Sequence, residues 1–383
     1  MPADPAHPVG GPAHPAGGLP HRASVADREL IEVLSAATAW WAAQRSWQVS
    51  SSHTGGGVIA AFESAVAEAA GPHARALALP SATAALATAL EILGVRPGDL
   101  VGVPAVDWTA TRAVVGVLGA RTVPLPVDPD SGLLDATQIA RRAEVTRGLA
   151  AVVAVHLHGL SCDVPALRRA CPGMPLVEDA AQAWAAHYPD GRPIGSAAEA
   201  CAFSFGAAKS PGAGELGCLV TRTQALHLAA VARTQHPTRQ LLAGVAGPRR
   251  DQVMIRVAPA AALLGAYVLH EHAWAIPALR LGGRLAATAL RDAGLLVLTD
   301  PGRHAPGVVA VRATPERVRL VLAGMSFPTG VKVTNVDRAD VNVHPEVPDR
   351  AALAARAAAI TVITLGSLAA GRRASSPPLV TGR

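Results

Sequence analysis

Between residues 76 and 221 the sequence alternates short apolar runs with stretches of helical periodicity, and this alternation restricts the fold more than any other feature. The apolar runs that we interpret as strands are 76–79, 100–103, 121–125, 149–155, 175–178, 200–204 and 217–221. The helical stretches are 83–93, 109–118, 135–145, 163–170 and 223–234. Strands separated by helices need crossover connections, which give a largely parallel sheet covered on both faces. We therefore predict an α/β domain with a mostly parallel seven-stranded sheet sandwiched by helices.

Composition along the chain predicts three further divisions. Residues 1–22 are mainly Pro, His, Gly and Ala, which predicts a disordered tail because such residues cannot form a core. The large α/β domain is expected over 23–245. A smaller C-terminal α+β domain is expected over 246–383, where the pattern becomes irregular, with a helix near 351–358 and a polar tail after residue 371.

The overall composition excludes several classes of protein. The 383 residues are 50% apolar and 16% charged, which is too apolar and too weakly charged for extended disorder. Charged residues, Pro and Gly interrupt every long apolar run, so we expect no membrane span. The four cysteines form no CxxC pair, and no secretion signal opens the chain. We therefore expect a cytoplasmic protein.

The positive charge of the chain comes almost entirely from arginine. The formal net charge is +6, and Lys209 and Lys332 are the only lysines in the sequence. The arginines are scattered and are not interleaved with the few aromatic residues, whereas nucleic-acid binders usually concentrate both. We attribute the charge to compositional bias and expect no nucleic-acid partner.

Polar residues cluster directly after the predicted strands. In open α/β sheets ligands bind outside the carboxyl ends of the strands, so these segments are the candidates for a site. They are 80–83, 107–109, 156–159, 178–182 and 204–209. One crevice could therefore combine an anion-binding helix start, an aromatic ring, an acid and a lysine.

Lys209 and Asp179 are the candidate catalytic residues. A lysine amine can form a Schiff base with a carbonyl such as that of pyridoxal phosphate, and arginine cannot replace it because it does not deprotonate. Asp179 could keep a pyridine nitrogen protonated, or it could simply cap the next helix. Glu178 would point to the opposite face of the strand.

Other residues of the crevice have both functional and structural interpretations. Ser81, Ala82 and Thr83 could bind an anion at a helix start, or Ser81 could act only as an N-cap. Ser204 could add a phosphate donor. Trp108 could stack on a flat ring or lie in the core.

His156 and His158 would share one face of a strand and could indicate a metal site. The sequence offers no second ligand pair that matches them, so our prediction includes no metal.

Six segments together resemble the DegT/StrS-type sugar aminotransferases in sequence and order. They are Ser-Ala-Thr-Ala-Ala-Leu (81–86), Arg-Pro-Gly-Asp (96–99), Val-Asp-Pro-Asp-Ser-Gly (127–132), Val-His-Leu-His-Gly (155–159), Val-Glu-Asp-Ala-Ala-Gln-Ala (177–183) and Phe-Ser-Phe-Gly-Ala-Ala-Lys (203–209). The resemblance covers about residues 25 to 240. It implies a pyridoxal 5'-phosphate enzyme of fold type I that acts as a homodimer with a shared active site.

The resemblance also implies a role for each matching residue. Lys209 would be the Schiff-base lysine and Asp179 the partner of the pyridine nitrogen. Gln182 would lie near the ring hydroxyl and Trp108 would stack on the ring. Residues in phosphate-binding places would be Ala82, Thr83 and Ser204. The implied reaction moves an amino group from glutamate or glutamine to a nucleotide-linked keto sugar or to a related biosynthetic keto compound.

Three positions depart from the family pattern. Met254-Ile255-Arg256 stands where the family has Asn-Tyr-Arg from the partner subunit, Leu216 replaces a usual glycine, and His158 replaces a familiar tyrosine. Alternatives therefore stay open: a dehydratase or eliminase with the same cofactor, a non-catalytic relative, and a metal hydrolase that uses His156 and His158. Lys209 favours transamination, because the family's dehydratases have a histidine in its place.

Overall fold

The fold is described from a computed structural model. The described residues are 25–43, 51–250, 252–323, 325, 331–335, 341–347 and 349–365. The predicted tail over 1–22 and the polar tail after 371 lie outside them.

Helices and strands alternate through the first two thirds of the chain. The helices are α1 Val25–Ala43, α2 Val58–Ala69, α3 Ala82–Ile92, α4 Thr109–Val117, α5 Ala136–Arg141, α6 Val164–Ala170, α7 Gln224–Thr234, α8 Pro237–Ala243, α9 Pro259–Asp292, α10 Pro315–Leu322 and α11 Arg350–Ala357. The strands are β1 Arg75–Leu79, β2 Leu100–Pro104, β3 Val106–Trp108, β4 Arg121–Leu125, β5 Leu149–Val155, β6 Leu176–Asp179, β7 Ala200–Ser204, β8 Gly217–Thr221, β9 Leu296–Val297, β10 Val308–Arg312, β11 Val331–Asn335, β12 Val341–Val343 and β13 Ile360–Leu365.

The main sheet has seven strands in the order β1-β8-β7-β6-β5-β2-β4. Its pairs are parallel from β7 to β4, and only β8 runs antiparallel to its neighbours β7 and β1. Apart from the edge strand β4, the strands are almost entirely buried, as expected for a sheet covered by helices on both faces. The predicted fold class, with a mostly parallel seven-stranded sheet, is confirmed.

The C-terminal part contains a second, antiparallel sheet with the order β11-β13-β10-β9. It packs with α10 and the end of α9 around a separate apolar cluster that includes Leu279, Leu290 and Ile363. This smaller unit is the predicted α+β part. The exact domain bounds stay a prediction, because α9 begins in the main core and ends in the second cluster.

Helix α9 was not predicted from the sequence. The sequence after residue 245, which shows no regular pattern, contains a helix of 34 residues, Pro259–Asp292, with Pro277 inside it. Gly265 lies against Phe62 and Leu216, where a Cβ atom would come within 2.3 Å of the leucine. The small residues that make the sequence look irregular therefore allow the helix to pack closely against the main core.

The predicted helix over 135–145 is shorter in the structure. α5 ends at Arg141, and a 3₁₀ turn over Ala143–Thr146 follows it. In the described part of the chain no helix is both long enough and apolar enough to cross a membrane.

Candidate active site

The residues predicted to form the site meet at one edge of the main sheet. The parallel strands β2, β5, β6 and β7 end there, and β8 begins there because it runs the opposite way. Asp179 is the last residue of β6, and Ser204 is the last residue of β7. This edge is the position where open α/β sheets bind ligands.

Lys209 lies in the loop that follows β7 and points its amine towards Trp108. Its Nζ atom lies 5.1 Å from the centre of the Trp108 ring, and its backbone N–H donates to the Gly206 carbonyl at 2.9 Å. Gly212 closes the loop, because a Cβ atom there would come within 3.0 Å of three carbonyl oxygens, including that of Lys209. The loop therefore holds the lysine beside the aromatic ring.

Asp179 is buried, with 4% of its surface exposed, and both of its carboxylate oxygens accept hydrogen bonds. Thr111 Oγ1 donates to Oδ2 at 3.0 Å, and the Ala181 N–H donates to Oδ1 at 3.1 Å. Burial raises the pKa of Asp179, while these two hydrogen bonds and the charge of Lys209 oppose the rise. A cation placed beside this carboxylate would stabilise its negative charge, which burial disfavours.

Gln182 follows Asp179 by three residues, and the turn that follows β5 orients its side chain. Its Oε1 atom accepts a hydrogen bond from the His158 N–H at 2.6 Å. Because the amide oxygen is engaged, the amide NH₂ group is the part of Gln182 that can donate to a ligand. His158 adopts a left-handed backbone conformation, with φ 58°, to present its N–H in this direction.

The start of α3 forms a cradle with β7 and β8. Ser81 caps the helix, accepting from the Ala84 N–H at 3.2 Å, so the predicted N-cap is confirmed. The N–H groups of Ala82 and Thr83 lie in the first helical turn, where no intrahelical acceptor exists for them. They can therefore bind an anion even though Ser81 is already in use.

Gly217 makes this cradle close to the sheet. A Cβ atom at Gly217 would lie 2.2 Å from the Ser81 carbonyl carbon and 2.5 Å from the Ala82 nitrogen. Gly217 is also the register partner of Ser204 across β7 and β8. The hydroxyl of Ser204 and the start of α3 therefore border the same space, and a phosphate group fits donors of this kind.

The residues present fit pyridoxal 5'-phosphate. Lys209 offers the amine, Asp179 a buried carboxylate for the ring nitrogen, and Trp108 a ring face. The α3 cradle offers donors for a phosphate. The sequence analysis proposed these positions, and the structure brings them to one edge of the sheet.

The expectation that His156 and His158 share one face of a strand is wrong. β5 ends at Val155, and the two histidines lie in a turn instead of on one strand face. His156 Nδ1 accepts from the Cys162 N–H at 3.0 Å, so Nε2 carries the proton and donates to Glu178 Oε2 at 2.9 Å. His156 therefore has no free lone pair for a metal.

Glu178 accepts several hydrogen bonds. Its side chain lies on the face of β6 opposite Asp179, as strand alternation predicted. Tyr188 donates to its Oε2 at 2.5 Å, and the Ala198 N–H donates to its Oε1 at 3.3 Å. With the bond from His156, these contacts stabilise a carboxylate whose exposed fraction is 0%. The network ties β6 to the segment that follows Gln182.

One departure from the family pattern, Leu216, has a local explanation. Leu216 is fully buried and packs into the notch at Gly265 of α9. In the segment 254–256, Arg256 is half-buried and its Nη1 atom lies 3.4 Å from Ser52 Oγ.

Sequence reasoning missed Thr111 and did not use Asp107 as a site residue. Thr111 lies in the first turn of α4, and the only available signal was its place soon after a predicted strand. The structure shows that its hydroxyl reaches Asp179 on a different strand.

A separate groove of about 690 Å³ lies between α1, α2 and α9, lined by Trp40, Trp41 and Trp184 among others. The part of the chain that lines it does not include Lys209 or Asp179, so this groove is distinct from the site.

Solved structures with the same fold are aminotransferases and related synthases. A structure of DesI determined in the presence of its TDP-sugar product is 28% identical, with a TM-score of 0.66, and the match covers 89% of this chain and 86% of that one. A structure of 3-amino-5-hydroxybenzoic acid synthase is 25% identical, with a TM-score of 0.66, covering 90% and 92% of the two chains. The fold is that of the fold type I pyridoxal-phosphate enzymes.

The profile of the DegT/DnrJ/EryC1/StrS aminotransferase family matches residues 40–243. The chain belongs to this family, whose members depend on pyridoxal phosphate, and the resemblance found in the sequence is confirmed.

Two curated relatives show how far the likeness extends. An L-glutamine:2-deoxy-scyllo-inosose aminotransferase from Micromonospora echinospora is 32% identical over 271 residues, which are 67% of this chain and 61% of that protein. Protein MosB from Rhizobium meliloti is 36% identical over 177 residues, 46% of this chain and 34% of that protein. The matched region thus spans between about a third and three fifths of these relatives.

Proposed function

We propose that this protein is a pyridoxal-phosphate-dependent aminotransferase that moves an amino group from glutamate or glutamine to a keto sugar or a similar polyhydroxylated ketone. The observation that carries the proposal is the position of the Lys209 amine, 5.1 Å from the Trp108 ring and close enough to Asp179 to lower the pKa of its carboxyl against the effect of burial. The relatives that act on inosose and the structure with a TDP-sugar support an acceptor of this class.

Each residue of the site would have one task. The N–H groups of Ala82 and Thr83, with the hydroxyl of Ser204, would bind the phosphate of the cofactor. Trp108 would cover one face of its ring, and the Gln182 amide would donate to the ring oxygen. These contacts would orient the cofactor's carbonyl carbon towards Lys209.

Asp179 and Lys209 would carry the chemistry that the protein itself performs. The Asp179 carboxylate would hold a proton on the ring nitrogen, helped by Thr111, so that the bound cofactor supplies an electron sink. The Lys209 amine would first hold the cofactor covalently. When it is not bound, the same Nζ atom would be the general base that holds and moves a proton at the substrate's Cα.

An absorbance spectrum of the purified protein tests this proposal. We expect a visible cofactor band after incubation with pyridoxal phosphate, and loss of that band on addition of glutamine or glutamate. A keto acceptor should then restore the band, because the amino group leaves with it. A protein that stays colourless would contradict the proposal, as would a band that no amino donor changes.

We also propose that the protein acts as a homodimer. The surface around α8 carries exposed apolar side chains, with exposed fractions of 60% for Leu241, 70% for Leu242 and 77% for Val253. They adjoin the segment 254–256, which stands in the place of the family's partner-subunit motif. Apolar patches of this kind mark interaction surfaces.

Light scattering of the wild type and of Leu242→Glu tests the dimer. We expect twice the chain mass for the wild type and a shift towards the monomer for the variant. Leu320→Glu is the matched control, since Leu320 is 77% exposed on α10. A monomeric wild type would contradict the proposal.

The cytoplasm is the proposed location. All four cysteines are free, buried thiols, which suits a reducing compartment. A disulfide detected by mass spectrometry in the native protein would contradict this location.

A further inference from the structure

Asp107 is a buried acid beside the site that the proposed reaction does not use. Its side chain has an exposed fraction of 0%, and its Oδ1 atom accepts from Arg112 Nε at 2.9 Å. No hydrogen-bond partner for its Oδ2 atom occurs among the described residues. A buried ion pair is weak evidence for stability, and its best-supported role is to fix one geometry.

The strand that carries Asp107 lies outside the seven-stranded sheet. β3 pairs with the short strand β12 instead of a strand of the seven-stranded sheet. The register sets Asp107 opposite Asn342 and Trp108 opposite Val341. The Trp108 backbone is therefore held by β12, while its ring packs, partly buried, against the main core.

The helix that follows has no side-chain hydrogen bond from its N-cap residue. α4 begins at Thr109, and its N-cap residue, Trp108, makes no side-chain capping bond. Asp107 precedes this N-cap, where a carboxylate interacts favourably with the helix dipole, and it reaches Arg112 in the same first turn. The Asp107–Arg112 pair thus spans the turn that contains Trp108 and Thr111.

We propose that Asp107 is a positioning residue for the cofactor site: by holding Arg112 it fixes the turn that presents the Trp108 ring and the Thr111 hydroxyl. The role in cofactor binding rests on the proposed function. Its physical content, a turn held by Asp107, can be measured on the protein without cofactor.

The charges around Asp107 give the pair a pH dependence. Burial raises the pKa of Asp107 to about 7, against the attraction of Arg112, and the charge of Asp179 adds to the rise. Arg112 in turn faces His344, which follows β12. Below pH 7 the ion pair becomes a hydrogen bond to a neutral carboxyl group, which is weaker.

Hydrogen–deuterium exchange of the cofactor-free protein tests the proposal. We expect the amides of 109–113 to exchange about tenfold faster in Asp107→Ala than in the wild type at pH 8. Asp107→Asn keeps an oxygen that accepts from Arg112, so at pH 6 it should match the wild type. At pH 8 it should be less protected than the wild type, after correction for intrinsic exchange rates.

Cofactor affinity, measured by spectroscopic titration, is the second readout. Asp107→Ala should weaken pyridoxal phosphate binding by about tenfold or more. The matched control is Arg168→Gln, which removes the ion pair to Glu199 beside Leu176, at the opposite end of β6 from Asp179. It should leave both readouts at the wild-type level.

Three results would overturn the proposal. They are wild-type exchange at 109–113 in Asp107→Ala, an Asp107→Asn variant that matches Asp107→Ala at pH 6, and equal loss of affinity in Asp107→Ala and Arg168→Gln. If Asp107→Ala fails to fold, the Asp107→Asn comparison at pH 6 and pH 8 decides alone. Failure of amino transfer would not alter the exchange result, so the two proposals fail separately.

Discussion

The hydroxyl of Thr111 donates to Oδ2 of Asp179 across 3.0 Å, joining the first turn of α4 to the end of β6. Burial raises the pKa of this carboxyl, and the hydroxyl is one of the contacts that oppose the rise. Thr111 therefore helps to keep Asp179 in the anionic form that a protonated ring nitrogen needs.

Thr111→Val should weaken cofactor binding without changing the shape of the site. The loss of a hydrogen bond to a buried carboxylate costs about 1.5–3 kcal/mol, which corresponds to at least about a tenfold rise in the dissociation constant. Spectroscopic titration with pyridoxal phosphate measures this change. The control is Thr88→Val, which removes a buried hydroxyl that bonds within α3. Equal affinity in Thr111→Val and the wild type would contradict the assigned role.

Gly217→Ala should damage the phosphate cradle. The added Cβ atom would lie 2.2 Å from the Ser81 carbonyl carbon, so the start of α3 must move away from Ser204. We expect weaker binding of pyridoxal phosphate, by about tenfold or more, because the donors no longer converge. The affinity for pyridoxal, which has no phosphate, should change much less.

Gly116→Ala is the matched control for this experiment. A Cβ atom at Gly116 has no neighbour within 4 Å, and alanine favours a helix over glycine. This variant should bind the cofactor normally. If Gly217→Ala also binds normally, the phosphate does not lie in the cradle.

The sequence predicted the strands of the main sheet, and the sheet edge at which Lys209 and Asp179 lie, for a physical reason. Buried parallel strands are continuous apolar runs, and chemistry in such a sheet must lie where they end, so Lys209 and Asp179 could be found from position. The seven observed strands of the main sheet differ from the predicted ones by at most one residue at either end, whereas β3 and β9–β13 were not predicted.

The contacts that complete the site could not be predicted in this way. The pairing of Gly217 with Ser204, and the approach of Gly217 to Ser81, depend on strand register and helix docking. Helix α9 was missed because glycine and proline normally predict the end of a helix, and its sequence contains several glycines and Pro277. Close packing stabilises the helix in spite of them.

Acid should destabilise the protein well before most of its carboxylates are protonated. Burial lowers the pKa of His158, His227, His272 and His304 to about 4 in each case. An unfolded chain takes up these protons near pH 6.5. Above pH 6.5 these histidines are neutral in both the folded and the unfolded chain, so the fold keeps its full stability. As the pH falls from 6.5 towards 4, the unfolded chain binds protons that the folded chain does not, and the free energy of unfolding decreases.

His272→Leu should reduce this sensitivity to acid. His272 is buried in α9, and neither ring nitrogen has a hydrogen-bond partner among the described residues. Denaturant unfolding at pH 5 and pH 8 measures the difference in the free energy of unfolding. We expect the difference to shrink by about 1–2 kcal/mol in His272→Leu. It should stay unchanged in His73→Asn, a substitution in an exposed loop, and an unchanged value in both variants would contradict the assignment.

Tyr188→Phe should destabilise the fold while leaving the site's own donors intact. Removal of the hydroxyl takes one donor from the buried Glu178 carboxylate, at a cost of about 1–3 kcal/mol. The same change also removes the nearer of the two acceptors of the Gly195 N–H, leaving Glu178 Oε2 at 3.4 Å. Chemical unfolding measures the loss, and a variant as stable as the wild type would show that Glu178 does not need this contact.

The most direct test of the account is to find the residue that holds the cofactor. The protein is incubated with pyridoxal phosphate, treated with borohydride to fix any imine, digested and examined by peptide mass spectrometry. The account predicts the added mass on Lys209 and none on Lys332, the other lysine of the chain. Label on Lys332 alone, or no label in a folded protein, would contradict the central claim.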